Sequence, residues 1–300
     1  MTQFRIGFDI GGTKVAAALL GPDGALVAKE RWPVPENYPD LLALLQTAVA
    51  QFDAQAGAPA AVGLGIAGVI DHRQGCMTLC KLGWLTQQPL RYDLAQRVQR
   101  PVAIGNDADC FALSEAVDGA GAPYHHVFGA ILGTGVGGGQ IVGKRLVTGP
   151  NGVNGEWGHL PLPHYVPEDG PQVSCHCGRV GCIETILAGG GLVRLHRHLH
   201  PEAAAVAAHE IALLAGQGDA AALATLGHFA HLVAKGLTLI VLTLDPDAIV
   251  IGGGLRDLPQ FWPKVRARIP HYCFIKNLQT DILPARFDAD SGVRGAAWLS

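Results

Sequence analysis

Between Gly155 and Glu184 the chain places Gly-Glu-Trp-Gly-His at 155–159, Cys175-His176-Cys177-Gly178, and Gly181-Cys182-Ile183-Glu184. Three cysteines within eight positions, with histidines nearby, form a four-ligand set for zinc. Zinc takes thiolate sulfur and imidazole nitrogen in tetrahedral geometry. Turns at Gly178 and Gly181 let the thiolates converge. Three thiolates plus one imidazole close the coordination shell, so the metal would be structural. By proximity His159, His164 and His176 all compete for the fourth place. Glu156 and Glu184 flank the ligands, and a metal tying these loops together would fix both carboxylates. That points to a binding site on a metal-braced loop.

Two glycine turns suggest a second chemistry. Asp9-Ile10-Gly11-Gly12-Thr13-Lys14 joins two apolar runs through a tight turn. Bare N–H groups and a hydroxyl there can hold phosphate oxygens, and the aspartate can hold Mg²⁺ through water. The spacing is not that of a Walker A loop. Gly133-Thr134-Gly135-Val136-Gly137-Gly138-Gly139 has more glycines than a hairpin needs, so close approach of backbone to a ligand is the expected reason. Gly252-Gly253-Gly254 ends an apolar run, where an open α/β sheet receives ligand, although a plain strand-to-helix turn also explains it. Asn106-Asp107 follows a short strand. A carboxylate there can take a proton from a hydroxyl nucleophile, and Asp107 or Asp109 is equally suited to cap the next helix.

The elements that must position these groups read as alternating strands and helices. Strands are predicted at 4–10, 15–20, 25–32, 61–66, 102–104, 127–132, 140–142, 248–251 and 281–287. Leu41, Leu44, Leu45, Ala48, Val49 and Phe52 share a helical face, and further helices are predicted at 108–117, 184–199, 202–215, 220–244, 261–268 and 292–299. The strand–glycine turn–strand unit near 127–142 echoes that at 4–20. It suggests two domains of related topology, with a boundary at the Gly119–Pro123 break. His196, His198, His200, His209, His228 and His231 fall on helical stretches without partners at ligand spacing and read as solvated or packed.

Bulk properties exclude several classes. A formal net charge of −3 with no Lys/Arg-rich run argues against nucleic acid as a partner. The apolar run Leu237–Leu244 is far short of the roughly 20 residues a membrane span needs. Charges within the first apolar stretch argue against a secretory signal. Seven cysteines, three at ligand spacing, fit reduced thiols and a cytoplasmic location better than a disulfide framework.

Taken together, and in this order along the chain, Asp9 to Lys14, Asn106-Asp107, Gly133 to Gly139, Gly155 to His159 and Cys-x-Cys-Gly-x-x-Gly-Cys-x-Glu at 175–184 resemble the ROK family (repressors, open reading frames and sugar kinases). The resemblance runs from Phe4 nearly to the C-terminus. It implies an α/β protein of two-domain actin/hexokinase-like (ribonuclease H-like) fold with the active site in the interdomain cleft. The expected domains are 1–118 plus 288–300, small and N-terminal, and 119–287, larger and carrying the zinc-binding loop 155–184. By the same resemblance Gly11, Gly12, Thr13 and Lys14, with Gly133, Thr134, Gly135, Val136, Gly137, Gly138 and Gly139, cradle the phosphates of ATP. Asp9 serves Mg²⁺, and Gly253 and Gly254 complete the nucleotide site. Asp107 is the general base on a sugar hydroxyl, and Asn106, Glu156, His159 and Glu184 hydrogen-bond the sugar. His159, Cys175, Cys177 and Cys182 are the structural zinc ligands, and a homodimer is implied.

The implied activity is ATP-dependent phosphorylation of a hexose 6-hydroxyl, a phosphotransferase with an alcohol acceptor. Gly155 to His159 followed by Pro161-Leu162-Pro163, Ser114 to Gly119 and Ser291 to Leu299 look like bacterial fructokinases or manno(fructo)kinases, which favours D-fructose. Gly133–Gly139 and Asp107–Ala112 lean toward N-acetyl-D-glucosamine kinases; glucokinase and mannokinase are further alternatives. Ala67, Asp109 and Cys80-Lys81 depart from the family pattern on the sugar side. A sugar-responsive repressor would need a helix-turn-helix before the first strand, and a strand starting at Phe4 leaves no room for one; Asp107 argues against a sensor that has lost catalysis.

Overall fold

The computed structural model describes residues 3–71, 73–258, 260–287 and 290–300. Of the expected domain ranges, positions 1, 2, 72, 259, 288 and 289 lie outside the described residues. In chain order the elements are β1 Arg5–Ile10, β2 Lys14–Leu20, β3 Leu26–Pro33, α1 Tyr38–Ala56, β4 Ala61–Ile66, β5 Gly68–Asp71, β6 Cys76–Cys80, α2 Leu90–Val98, β7 Val102–Asn106 and α3 Asp107–Val117. There follow β8 His126–Leu132, β9 Val136–Val142, β10 Arg145–Leu146, α4 Ile183–Leu187, α5 Gly189–Leu199, α6 Ala208–Gly216, α7 Ala220–Leu244, β11 Ala248–Gly252, α8 Phe261–Arg268, β12 Asp281–Pro284 and α9 Ser291–Trp298.

The chain divides into two compact units. Unit 1 comprises the chain up to Pro123 with Gly139–Gly155 and Arg286–Ser300; unit 2 comprises Tyr124–Gly138 and Glu156–Ala285. The first break falls at 123/124, and Gly139–Gly155 groups with unit 1, where the sequence had placed it in the larger domain. One five-stranded sheet runs β3-β2-β1-β4-β7, a second β10-β9-β8-β11-β12, and β5-β6 form a hairpin.

In unit 1, β1, β4 and β7 are parallel, and their last residues Ile10, Ile66 and Asn106 align. Alternating side chains of β1 and β4 pack against α1. Leu41, Leu45, Ala48 and Phe52 of that helix recur at helical spacing and are buried. Asn37 caps α1 by accepting from Asp40 N at 3.0 Å. Gly57 ends the helix in the left-handed conformation, with φ 71°. The other face of the sheet takes α9 at very close range. A Cβ on Gly7 would sit 1.9 Å from Val293 O, and one on Gly295 would sit 1.6 Å from Cys110 O on α3. Only glycine lets the backbones meet there.

Glu115 anchors this packing. It is fully buried, and its carboxylate accepts from Ala120 N (3.0 Å), Arg286 N (2.9 Å), Phe287 N (3.0 Å) and Ser291 Oγ (2.9 Å). These bonds explain why the strand expected over 281–287 stops at Pro284: the N–H groups of Arg286 and Phe287 go to Glu115, not to a sheet.

In unit 2, α7 runs through the core, with Phe229, Val233, Leu237 and Ile240 buried against Phe128 and Ile249. This helix is long and apolar enough to cross a membrane by length and composition. However, 67% of its apolar window is buried inside the protein, as in a core helix. The helix expected over 184–199 is two helices. Ala188 is extended between α4 and α5, and the sharp approach requires glycine at 191, whose Cβ would lie 2.0 Å from Ile186 O. The helix expected from Glu202 begins at Ala208, where Glu210 accepts from Ala207 N at 2.6 Å. The β5–β6 hairpin and α2 were not foreseen.

Glu115→Ala should destabilise the protein by roughly 3–5 kcal/mol in urea unfolding, because it removes four hydrogen bonds at once and leaves the buried Ser291 hydroxyl and three part-buried N–H groups without their acceptor. Stability close to that of the parent would show that the carboxylate is not the anchor.

Candidate active site

In unit 1 the site groups gather at the carboxyl ends of parallel strands, where α/β sheets receive ligands. Asp9 is the penultimate residue of β1, and Asp107 follows the aligned end of β7. Gly11 N donates to Lys14 O at 3.0 Å, closing the tight turn, while Gly12, Thr13 and Lys14 face solvent. Asp9 is pushed up to about 6, first by burial and then by the charge of Asp107, with Lys14 opposing. Desolvation of its carboxylate likewise raises Asp107, against backbone N–H donors and Lys81. The charge of Asp107 thus adds to the cost of ionising Asp9, a cost that a divalent cation would relieve.

The capping role falls to Asn106, not to Asp107 or Asp109. Asn106 Oδ1 accepts from Ala108 N at 2.7 Å, and its Nδ2 donates to Gly68 O at 2.6 Å. Asp107 Oδ1 accepts from Ala108 N at 3.0 Å, and the residue keeps an exposed edge that a ligand can reach. Sequence reasoning missed Gly292: a Cβ there would lie 2.9 Å from Asp9 Oδ2, so any larger residue displaces the carboxylate.

In unit 2 the turn after β8 is Gly133-Thr134-Gly135, with Gly133 N donating to Gly135 O at 3.0 Å and Gly189 N to Gly133 O at 2.8 Å. Not every glycine here serves a ligand. A Cβ on Gly138 would meet the Phe128 ring at 2.6 Å, and in unit 1 one on Gly139 would meet Ala112 Cβ at 2.8 Å. Packing alone is enough to require glycine at both positions. Gly253 has φ 87° and approaches the backbone of Leu132, while Gly254 is open. Trp157 is buried and donates from Nε1 to Gly137 O at 2.8 Å, tying the Glu156–His159 turn to β9.

The metal-ligand set comes together within unit 2. One ligand atom from each of His159, Cys175, Cys177 and Cys182 lies within 4.8 Å of the others. Cys175 Sγ is 3.6 Å from His159 Nδ1, and Cys177 Sγ is 3.6 Å from Cys182 Sγ. Ligands about 2.3 Å from a tetrahedral centre stand roughly 3.8 Å apart, so the set fits a metal of zinc's size. Gly178 has φ 87° and Gly181 has φ 75°. This left-handed conformation, open to glycine, folds the cysteines inward. In the metal-free chain burial pushes Cys182 up to about 12, and the Arg179 N–H lowers Cys177. His164 is not part of the set; its Nε2 lies 3.2 Å from Tyr272 O. His176 forms a second cluster with His159 and Glu184. Glu184 accepts from Val136 N at 3.0 Å and lies 3.1 Å from His176 Nδ1, so it links the glycine turn to the cysteine loop. Glu156 stands 3.8 Å from His159 Nε2.

This architecture is the two-domain actin/hexokinase-like fold. The ROK family model matches residues 5–300, and the chain belongs to the ROK family. It is 40% identical over 298 residues to an N-acetyl-D-glucosamine kinase of Pectobacterium atrosepticum, covering 98% of this chain and 97% of that protein. It superposes on a ROK hexokinase of Thermus thermophilus with a TM-score of 0.85 at 30% identity, covering 99% and 97% of the two chains. A ROK family glucokinase of Streptomyces griseus, solved in complex with glucose and AMPPNP, gives 0.76 at 30% identity, covering 99% of each chain. The chain is therefore a sugar kinase, a phosphotransferase with a hydroxyl acceptor.

The raised carboxyl of Asp9 has a consequence for stability. Its folded pKa lies above its unfolded value, so ionising it costs stability as pH rises from about 4 through 6. Asp9→Asn should raise the melting temperature of the protein by a few degrees at pH 7.5 and leave it unchanged near pH 4. Equal effects at both pH values would rule out the titration.

Proposed function

We propose that this chain is an ATP-dependent kinase for the 6-hydroxyl of N-acetyl-D-glucosamine. One observation carries the sugar assignment: 40% identity over almost the full length of a protein named for that activity. The motif cues at Gly133–Gly139 and Asp107–Ala112 agree. The D-fructose reading rests on shorter similarities around 114–119, 156–163 and 291–299, so N-acetyl-D-glucosamine replaces it.

In this reading Asp107 takes the proton from the attacking hydroxyl. Its raised pKa supports the role, because a base works best with a pKa near working pH. Asp9 holds Mg²⁺, which neutralises charge on the ATP phosphates. Gly11 to Lys14 and the turn starting at Gly133 offer N–H groups to those phosphates, as does the turn at Gly253-Gly254. Phosphoryl transfer needs positioning and charge neutralisation more than covalent chemistry, and these groups supply both. Glu156, His159 and Glu184 orient the sugar, and Asn106 holds the first turn of α3 beneath Asp107. Zn²⁺ on His159, Cys175, Cys177 and Cys182 braces that polar wall as a structural ion. The reduced thiolates and the use of ATP fit a cytoplasmic location, and the family resemblance points to a homodimer.

Purified protein with ATP and a panel of hexoses should turn over N-acetyl-D-glucosamine with the highest kcat/KM. A higher value for fructose, mannose or glucose would overturn the sugar assignment. Asp107→Asn should lower kcat by several orders of magnitude and leave sugar affinity intact; loss of affinity in parallel would remove it as the base.

Cys177→Ser should strip zinc, read by elemental analysis, and lower the melting temperature. Unchanged metal content would remove Cys177 from the ligand set.

A further inference from the structure

Arg194, Arg197 and His198 stand three and four residues apart on α5, so they share one helical face. With Pro171, Ala203 and Ala205 they line a hollow of about 460 Å³ within unit 2, and none of these residues belongs to a glycine turn. Neither arginine pairs with a carboxylate among the described residues. Arg194 donates to the carbonyl of Thr185, and Arg197 is exposed. Cations in the last turn of a helix complement its dipole, which accounts for Arg197 and His198. It does not account for Arg194, in the second turn. Arg194 also forms the wall of a neighbouring hollow of about 250 Å³ lined by Thr134, Ser174, His176, Glu184 and Thr185.

We propose that this face of α5 is a second ligand site that takes a phosphomonoester on a small polar body, a sugar phosphate. Guanidinium groups match phosphate oxygens in bidentate fashion, and two of them beside an imidazole supply the several donors that a phosphate's three free oxygens can accept. The hollow falls within the range of about 300–1,000 Å³ typical of small-molecule sites and exceeds what a lone phosphate fills. The small apolar rim of Pro171, Ala203 and Ala205 leaves room for a ring beside the charged group. Arg194 couples the site to its neighbour, because the carbonyl it holds belongs to the residue after Glu184. Occupation would fix Arg194 and with it the α4 turn that presents Glu184. Binding is independent of the kinase assignment; only its effect on sugar affinity rests on the role proposed for Glu184. A sugar kinase releases this class of compound, so the site would sense product.

The test fills both substrate sites of the full-length, metal-loaded protein with N-acetyl-D-glucosamine and a non-hydrolysable ATP analogue. Calorimetry then follows addition of N-acetyl-D-glucosamine 6-phosphate or of inorganic phosphate. The sugar phosphate should bind, and more tightly than inorganic phosphate. The Arg197→Ala, His198→Ala double variant should weaken both by about tenfold or more, since charge-assisted hydrogen bonds are lost. Turnover without added phosphate ester should match the parent. No binding to the filled parent protein, or the same affinity in the variant, would overturn the site. Equal affinity for the two ligands would overturn the sugar body. A chain that binds the ester at this face yet phosphorylates no hexose would sink the kinase assignment and leave the site standing.

Discussion

The structure depends on holding a long segment in place without regular secondary structure. Between Leu146 and Ile183 the described residues form no helix longer than a single turn, and beyond local turns the backbone pairs through isolated bridges at Pro161–Cys182 and Ser174–Val180. Side chains must therefore supply the order. At one end His159 and the three cysteines converge. In the middle Lys235, only 6% exposed on α7, donates to Asp169 at 2.6 Å and to His164 O at 2.9 Å, while Asp169 also accepts from Val166 N. At the far end Glu184 spans Val136 N and His176. Removing one member of a buried pair such as Lys235–Asp169 costs roughly 3–5 kcal/mol, because the other charge is left unpaired. The polar groups offered to a ligand are thus fixed from three sides, which preorganisation of a binding wall requires.

Much of this was legible in the sequence, and for physical reasons. The strands β1, β2 and β8 are apolar runs that each end at a glycine, β4 is an unbroken apolar run, and α1 carries an unbroken stripe from Leu41 to Phe52. The ligand set is legible because thiolates at such spacing, with glycines able to take positive φ, have few other uses. Features set by tertiary contact were not legible. Gly189-Gly190-Gly191 marks a weak point after Ala188, yet the flanking helical pattern hid the break, which the bond from Gly189 N to Gly133 O fixes in place. The early end of β12 depends on Glu115, a carboxylate on α3 that is remote from it in sequence. The choice of Asn106 over its aspartate neighbours as cap depends on the bond from its amide to Gly68 O.

The glycines show how composition can mislead. The run from Gly133 to Gly139 looks uniform in sequence, yet its members answer to different constraints. Gly135 lies against Glu184 Oε2, Gly138 against an aromatic ring, and Gly139 against α3. A glycine-rich turn is therefore a sum of separate steric demands. The same holds at Gly7, Gly63 and Gly295, which lie far from the turns and are glycine because α9 packs directly on its neighbours.

That last packing bears on how the molecule is made. The strands β1 and β4 emerge early from the ribosome, but the helix that covers their second face is encoded by residues 291–298. Until those residues are released, one side of the first sheet stays bare, and Glu115 has nothing to hold at Arg286, Phe287 and Ser291. Unit 2 is encoded largely between the two parts, so the amino-terminal sheet must wait until all of unit 2 and residues 291–298 have been made. Nascent chains would expose an apolar surface throughout that interval, and a stop codon ahead of residue 291 would leave it bare for good.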